Sequence, residues 1–204
     1  MKTTRSLKEA IAIVILTLSS VMAWAANEVY IEQSGDDSNI TITQDGSNNT
    51  IGTELNPMFI GGGTNTVTID QIGTSNTLDM VVNGAGTSVV VSALGDNNSQ
   101  TIHCGSTMSS SCSQSVIRSE ITGSNNTTIQ NLNQGANHES KISISGDSNS
   151  VTHTSTSTGT TSAQITVVGD SNTIGVTQSG TTNNTVKVNS IANNTTIAIT
   201  QSKP

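Results

Sequence analysis

The feature that most constrains this chain is a short unit at residues 65–76 (NTVTIDQIGTSN) that returns at residues 172–183 (NTIGVTQSGTTN). In both copies apolar and polar residues alternate, Gln stands at the seventh position, Gly at the ninth and Asn at the twelfth. Strict alternation predicts a strand with one buried face, and Gly followed by small polar residues predicts a turn. Two matching units so far apart indicate a repeat architecture.

The strand-and-turn unit recurs along the chain in steps of about 11 residues. In most units the residues two, four and six places before the turn are Ile, Val or Gln. The turn positions are Gly35, Gly46, Gly73, Gly86, Gly95, Gly146, Gly169, Gly180 and Ala192, with Lys203 in the last unit. The rhythm breaks near residues 52–62 and 103–120, where we expect insertions.

One such unit cannot bury its apolar face alone, so two units are expected to face each other in a coil. The sequence therefore predicts an all-β fold, a β-solenoid of about six to seven two-strand coils with roughly 22 residues in each. Only 1% of the 204 residues are aromatic, which favours a thin interior over a thick core between packed layers. Polar low-complexity composition of this kind is also typical of chains that assemble as β-structure.

Stacked coils would place equivalent residues about 4.8 Å apart, so that inward amide side chains could bond to one another along the stack. Such bonding would offset the cost of burying polar groups. We predict an amide ladder, which would also carry assembly, at Gln33, Gln44, Asn49, Gln71, Asn76, Gln178, Asn183 and Gln201. We predict an apolar core that includes Ile31, Ile42, Val67, Ile69, Val176, Val188 and Ile199.

The first 25 residues have the features of a secretory signal peptide. Three cations precede an apolar run at residues 10–18, and residues 23–25 form an Ala-x-Ala cleavage signal. The apolar run is too short for a membrane span. We therefore expect residues 26–204 to be one exported domain that acts outside the cell.

The charge of the chain limits its partners. The formal net charge is −7, and removal of residues 1–25 would make the remainder more acidic, because that segment holds three of the 7 cations. An acidic surface argues against nucleic acid and against anionic lipid as partners.

Cys104 and Cys112 are the only cysteines of the chain. In an exported protein a single disulfide between them is the first expectation, with two free thiols as the alternative. His103 beside Cys104 suggests a metal, but two Cys and one His fall short of a four-ligand zinc site. We expect no metal and no cofactor.

The spacing N-x5-Q-x4-N in the two units resembles the curlin repeat, in which Gly likewise stands two residues after the first Gln. Asn65 and Asn172 occupy the position where that family usually has Ser, and several units lack the Gln. The resemblance implies export through an outer-membrane pore, nucleated assembly and a cross-β fibre in biofilm matrix. The partners it implies are further copies of the chain, a nucleator subunit and the secretion pore. The fibre would be associated with the outer cell surface without being inserted in the membrane.

These observations favour a secreted structural subunit of a curli-like amyloid fibre that grows by pairing of strand edges. The first coil (residues 29–49) and the last strand (residues 197–201) keep the fullest Ile and Gln pattern, so we expect them to be the joining faces. The alternative is a monomeric solenoid adhesin or passenger domain that binds glycans or a host surface. An ice-binding array is disfavoured, since outward Thr pairs do not recur in successive coils.

Catalysis has little support in the sequence. His103, His138 and His153 are scattered, and the chain has no nucleophile-elbow, zinc-protease or phosphate-binding motif. We expect the protein not to be an enzyme.

Overall fold

The computed structural model describes residues 13–19, 26–34, 37–61, 65–82, 87–103, 105, 114–132, 137–157, 159–181 and 183–203. All regular elements in this part of the chain are β-strands. These residues form no helix of the length and apolarity that crossing a membrane requires. Cys104 and Cys112 lie outside the described residues, so their pairing stays a prediction.

The strands are short, as expected for units of about 11 residues. They are β1 (Ile13–Ser19), β2 (Glu28–Val29), β3 (Ile31–Ser34), β4 (Asn39–Ser47), β5 (Thr50–Ile51), β6 (Met58–Gly61), β7 (Thr66–Thr74), β8 (Thr77–Val82), β9 (Ser88–Leu94), β10 (Ser99–His103), β11 (Val116–Arg118), β12 (Ile121–Thr122), β13 (Thr127–Leu132), β14 (His138–Ser140), β15 (Ser150–Ser155), β16 (Thr161–Ser162), β17 (Thr173–Gly180), β18 (Asn184–Thr185) and β19 (Thr196–Lys203).

Successive segments alternate between two parallel sheets. Sheet A has the order β1-β4-β7-β9-β11-β14-β16-β18, with β12 also beside β9. Sheet B has the order β19-β17-β15-β13-β10-β8-β5-β2, with β3 beside β6 and β6 beside β8. Each strand pairs in register with its equivalent one coil away, so that Ile40, Val67 and Val89 lie in one column. The chain is therefore a β-solenoid of about seven coils, and the predicted fold class is confirmed.

The core lies between the two sheets, which each contribute every second residue to it. Its apolar residues form two clusters along the stack. One includes Ile42, Ile69 and Met80, and the other includes Ile165 and Val176. Many polar side chains are buried with them, so the interior combines aliphatic packing with hydrogen bonding.

Both interruptions of the rhythm contain a strand that the sequence pattern did not reveal. In the first, β6 lies in sheet B, and Met58 and Ile60 are fully buried. In the second, β11 lies in sheet A with Ile117 fully buried. Expecting insertions over the whole of residues 52–62 and 103–120 was therefore wrong at their ends. Alternation over three or four residues is too short a signal to separate from loop sequence.

Candidate functional site

A column of buried asparagines follows the corner where sheet A leads into sheet B. Asn126 shows the pattern: its backbone N–H and its Nδ2 both donate to Asn98 Oδ1, each at 3.1 Å. Its Nδ2 also donates to Gly146 O, in the next coil, at 2.8 Å. The column begins at the half-buried Asn27 and ends at Thr195. Its buried members are Asn49, Asn76, Asn98, Asn126, Asn149 and Asn172. It ties each coil to both neighbours.

The turn before each of the six buried asparagines has a backbone that few residues tolerate. Gly95 has a φ of 125° and Asn97 a φ of 55°, and the pattern repeats from coil to coil. The glycines also stack on one another, so that a Cβ on Gly95 would lie 2.1 Å from Gly123 O. Glycine is therefore required here both by backbone conformation and by the approach of the next coil.

Glutamines form a second kind of contact inside the solenoid. In sheet A, Gln44 Nε2 donates to Gln71 Oε1 at 2.8 Å. In sheet B, Gln178 Nε2 donates to Gln201 Oε1 at 3.1 Å. Both pairs run in the same direction, with the amide nitrogen facing the C-terminal end of the stack.

A fully buried histidine contacts the glutamine pair of sheet B from the neighbouring column, where it lies opposite Gln130 and Val176. His153 Nε2 lies 2.8 Å from Gln178 Oε1, and His153 Nδ1 lies 2.8 Å from Ser140 Oγ. Because the Gln178 oxygen can only accept, Nε2 carries the proton and Nδ1 accepts from the Ser140 hydroxyl. Gln130 Nε2 donates in turn to Ser140 Oγ at 3.0 Å. A neutral imidazole therefore completes an unbroken chain of hydrogen bonds.

Burial lowers the pKa of His153 from its usual 6.5 to about 4, opposed by the bond to Gln178 and assisted by the nearby His138. Because the lowered pKa favours the neutral form in the folded state, stability is full above pH 6.5 and falls as the pH drops toward 4. We expect His153 to cost the folded state about 3 kcal/mol by pH 4.

The variant His153→Gln measures that effect, because a glutamine keeps a hydrogen-bonding side chain but does not titrate. From pH 7 to pH 4 we expect the unfolding free energy of the parent to fall more than that of His153→Gln. At equilibrium with assembled protein, the residual soluble concentration of the parent should rise more over the same range. The comparison cancels the titration of the carboxylates, which both chains share. Parallel pH profiles would contradict the assignment.

The structure places most predicted ladder residues in these columns. Asn49 and Asn76 belong to the asparagine column, and Gln33 lies half-buried in β3. The prediction for Asn183 is wrong, since it is exposed and Asn184 is buried instead. The turn after Gly180 belongs to the opposite corner and is one residue longer than the turn that links Gly73 to Asn76.

The predicted core residues all contribute to the two apolar clusters. Ile42, Val67, Ile69, Val176 and Val188 are buried. Ile31 and Ile199 are partly buried, because they lie at the two ends of the stack.

Sequence reasoning missed the chain of hydrogen bonds around His153. The segment after residue 150 has Ser and His at inward positions, which the Ile, Val or Gln pattern of the other units does not include. Residues 127–132 give no clearer signal, since Ile129 points outward while Gln130 is fully buried. Only the in-register pairing of β13, β15 and β17 brings these polar residues together.

Within the described residues, no three His, Cys, Asp or Glu side chains come together in a way that could hold a metal ion. The hydrogen-bonded columns of asparagine and glutamine support pairing of amides along the axis of the solenoid.

The comparison with protein families identifies one repeat in the chain. The family model of the curlin associated repeat matches residues 25–46, which span β2, β3 and most of β4. No curated protein and no solved structure matches the chain.

Proposed function

We propose, on the premise that this chain is a curlin-repeat protein, that it is a secreted structural subunit that self-assembles into an extracellular amyloid-like fibre. Residues 1–25 would be removed on export, and the fibre would serve biofilm matrix and surface adhesion. The family and the fold favour a structural role over a catalytic one.

The observation that carries this proposal is the state of the two ends of the solenoid. The apolar column is incomplete at both ends: Val29 and Ile31 at one end, and Ile197 and Ile199 at the other, are only partly buried. Among the described strands, β19 is the last of sheet B and has a neighbour on one side only. Open strand edges beside incomplete apolar columns template the addition of further strands.

The family also suggests the partners of such a subunit. A nucleator subunit would supply the first open edge, and an outer-membrane pore would export the chain before it folds. A monomeric adhesin remains the competing function, and it requires that the same ends stay unoccupied in solution.

The test uses purified residues 26–204 at micromolar concentration. We expect thioflavin-T fluorescence to rise after a lag, the lag to disappear when preformed material is added, and the product to give a meridional reflection at about 4.7–4.8 Å. A chain that stays monomeric while its circular dichroism is already that of β-structure would contradict self-assembly and favour the adhesin.

A further inference from the structure

The two sheets of the solenoid have unequal numbers of layers. Among the described strands other than β1, sheet A has seven layers, with β11 and β12 counted as one. Sheet B has eight layers, with β2 and β3 counted as one and β5 and β6 counted as one. The stack from β2 to β19 is therefore seven and a half coils long. Its last half-coil, β19, faces no layer of sheet A in the part of the chain that the structure describes.

This half-coil restricts how a second copy can continue the stack. If the copy kept the same orientation, its β2 and β3 would add to sheet B beside β19, and one layer of sheet A would stay empty. If the copy were rotated by half a turn about the solenoid axis, its β2 and β3 would add to sheet A beside β18. Its β4 would then add to sheet B beside β19, and no layer would be empty.

We propose that copies of this chain join head to tail with a half-turn between neighbours, so that β19 of one copy pairs in parallel with β4 of the next. The inference rests on the proposed self-assembly and adds its geometry. With Thr196 opposite Asn39, the inward residues match along the whole strand. The matching pairs are Ile197 with Ile40, Ile199 with Ile42, and Gln201 with Gln44.

The hydrogen bonds of the two glutamines fit this junction. Gln44 Nε2 faces Gln71, and Gln44 Oε1 is buried with no partner among the described residues. The two glutamines make equivalent contacts. Gln201 Nε2 donates to Thr185 O at 3.1 Å, and Gln44 Nε2 donates to Glu28 O; each carbonyl lies 16 residues before its glutamine. The second N–H of Gln201 is therefore equivalent to the N–H that Gln44 donates to Gln71. In the junction it would reach the unpartnered Gln44 Oε1.

A second buried polar group lies on the same edge. Ser38 is 4% exposed, and its hydroxyl has no hydrogen-bond partner in the described part of the chain. In the proposed register Ser38 lies opposite Thr195, the residue that ends the asparagine column. Both groups are buried while β1 covers this edge. Once β1 is removed, an incoming copy would bury them again and would supply the partners that buried polar groups require.

The structure also shows that the edge of β4 accepts a parallel strand in this register. With residues 1–25 present, β1 pairs there, with Ile13 opposite Asn39 and Ser19 opposite Asp45. Those are the positions that Thr196 and Ser202 would take in the junction. Because β1 lies within the predicted signal peptide, its removal would leave this edge to the next copy.

Disulfide cross-linking of assembled protein distinguishes the two orientations. In residues 26–204 with both native cysteines replaced by Ser, the pair Thr41→Cys and Ala198→Cys is adjacent only across the half-turn junction. The pair Tyr30→Cys and Ala198→Cys is adjacent only if the copies share one orientation. Neighbouring strands are about 4.8 Å apart, within reach of a disulfide, whereas the two ends of one chain are about 34 Å apart.

Fibres are grown under reducing conditions, oxidised, dissolved and run on a non-reducing gel. We expect a ladder of covalent multimers from the first pair and monomer from the second. The reverse result, or fibres that yield no multimers from either pair, would overturn the half-turn junction while leaving self-assembly intact. Absence of fibres from residues 26–204, both with and without the native cysteines, would overturn both proposals.

A second set of cysteines guards against a variant that fails to assemble. The pair Thr43→Cys and Thr200→Cys reports the half-turn, and Glu32→Cys and Thr200→Cys reports the unrotated stack. All three side chains lie on the outer surfaces of the sheets, where they alternate with the buried positions. Agreement of both sets with the half-turn is the expected result.

Discussion

The variant Gly95→Ala is expected to abolish assembly. The new Cβ would lie 2.1 Å from Gly123 O and 2.7 Å from Gly123 C, which are backbone atoms that cannot move without separating two coils. The φ of 125° is also strained for any residue with a side chain. Together these effects should cost on the order of 4 kcal/mol, among the largest penalties that a single methyl group imposes. Thioflavin-T kinetics and the residual soluble concentration measure the loss.

Gly175→Ala is the matched control, since it makes the same chemical change in another strand. A Cβ at Gly175 meets no atom within 4 Å, and the residue lies inside β17, away from any turn. We expect this variant to assemble like the parent or slightly more readily, because Ala restricts the unfolded chain. Equal loss in both variants would contradict the role of the stacked turn.

The fold class follows from the sequence because its determinants are local. Alternation of Val67 and Ile69 with polar neighbours specifies a strand, and Gly73 followed by Asn76 specifies the turn. What the spacing cannot reveal is which corner a turn belongs to. The stacked glycines from Gly46 to Gly169 all lie where sheet A leads into sheet B, whereas Gly180 lies at the other corner, where turn length varies.

The parts of the candidate site that escaped prediction depend on pairing between distant units. The chain of hydrogen bonds through Ser140, His153 and Gln178 needs three segments in register across both sheets. No single segment carries a signal for it, and the two inward Ser and His residues weaken the strand pattern instead. The unpaired half-coil at β19 could not be predicted either. The number of layers in each sheet includes β6 and β11, and the sequence pattern does not reveal these two strands.

Among substitutions that keep the shape of the side chain, we expect Asn126→Asp to be the most damaging in the asparagine column. Asn126 Nδ2 donates to Asn98 Oδ1 and Gly146 O, and a carboxylate would set a negative charge against both acceptors. Burying this carboxylate without hydrogen-bond donors should cost on the order of 4 kcal/mol, which corresponds to about a thousand-fold rise in residual soluble concentration. Because the side chain keeps its size, packing cannot account for the loss.

Asn183→Asp provides the control, since it makes the same substitution at an exposed position with the same change in net charge. We expect it to assemble like the parent. The buried Asp in Asn126→Asp should have a raised pKa, so its penalty is present near neutral pH and is partly relieved as the pH falls and the acid regains one donor. Partial recovery of assembly by Asn126→Asp in acid, measured against Asn183→Asp at each pH, would identify the lost donors as the cause. Equal assembly of both variants at pH 7 would show that the asparagine column does not hold the coils together.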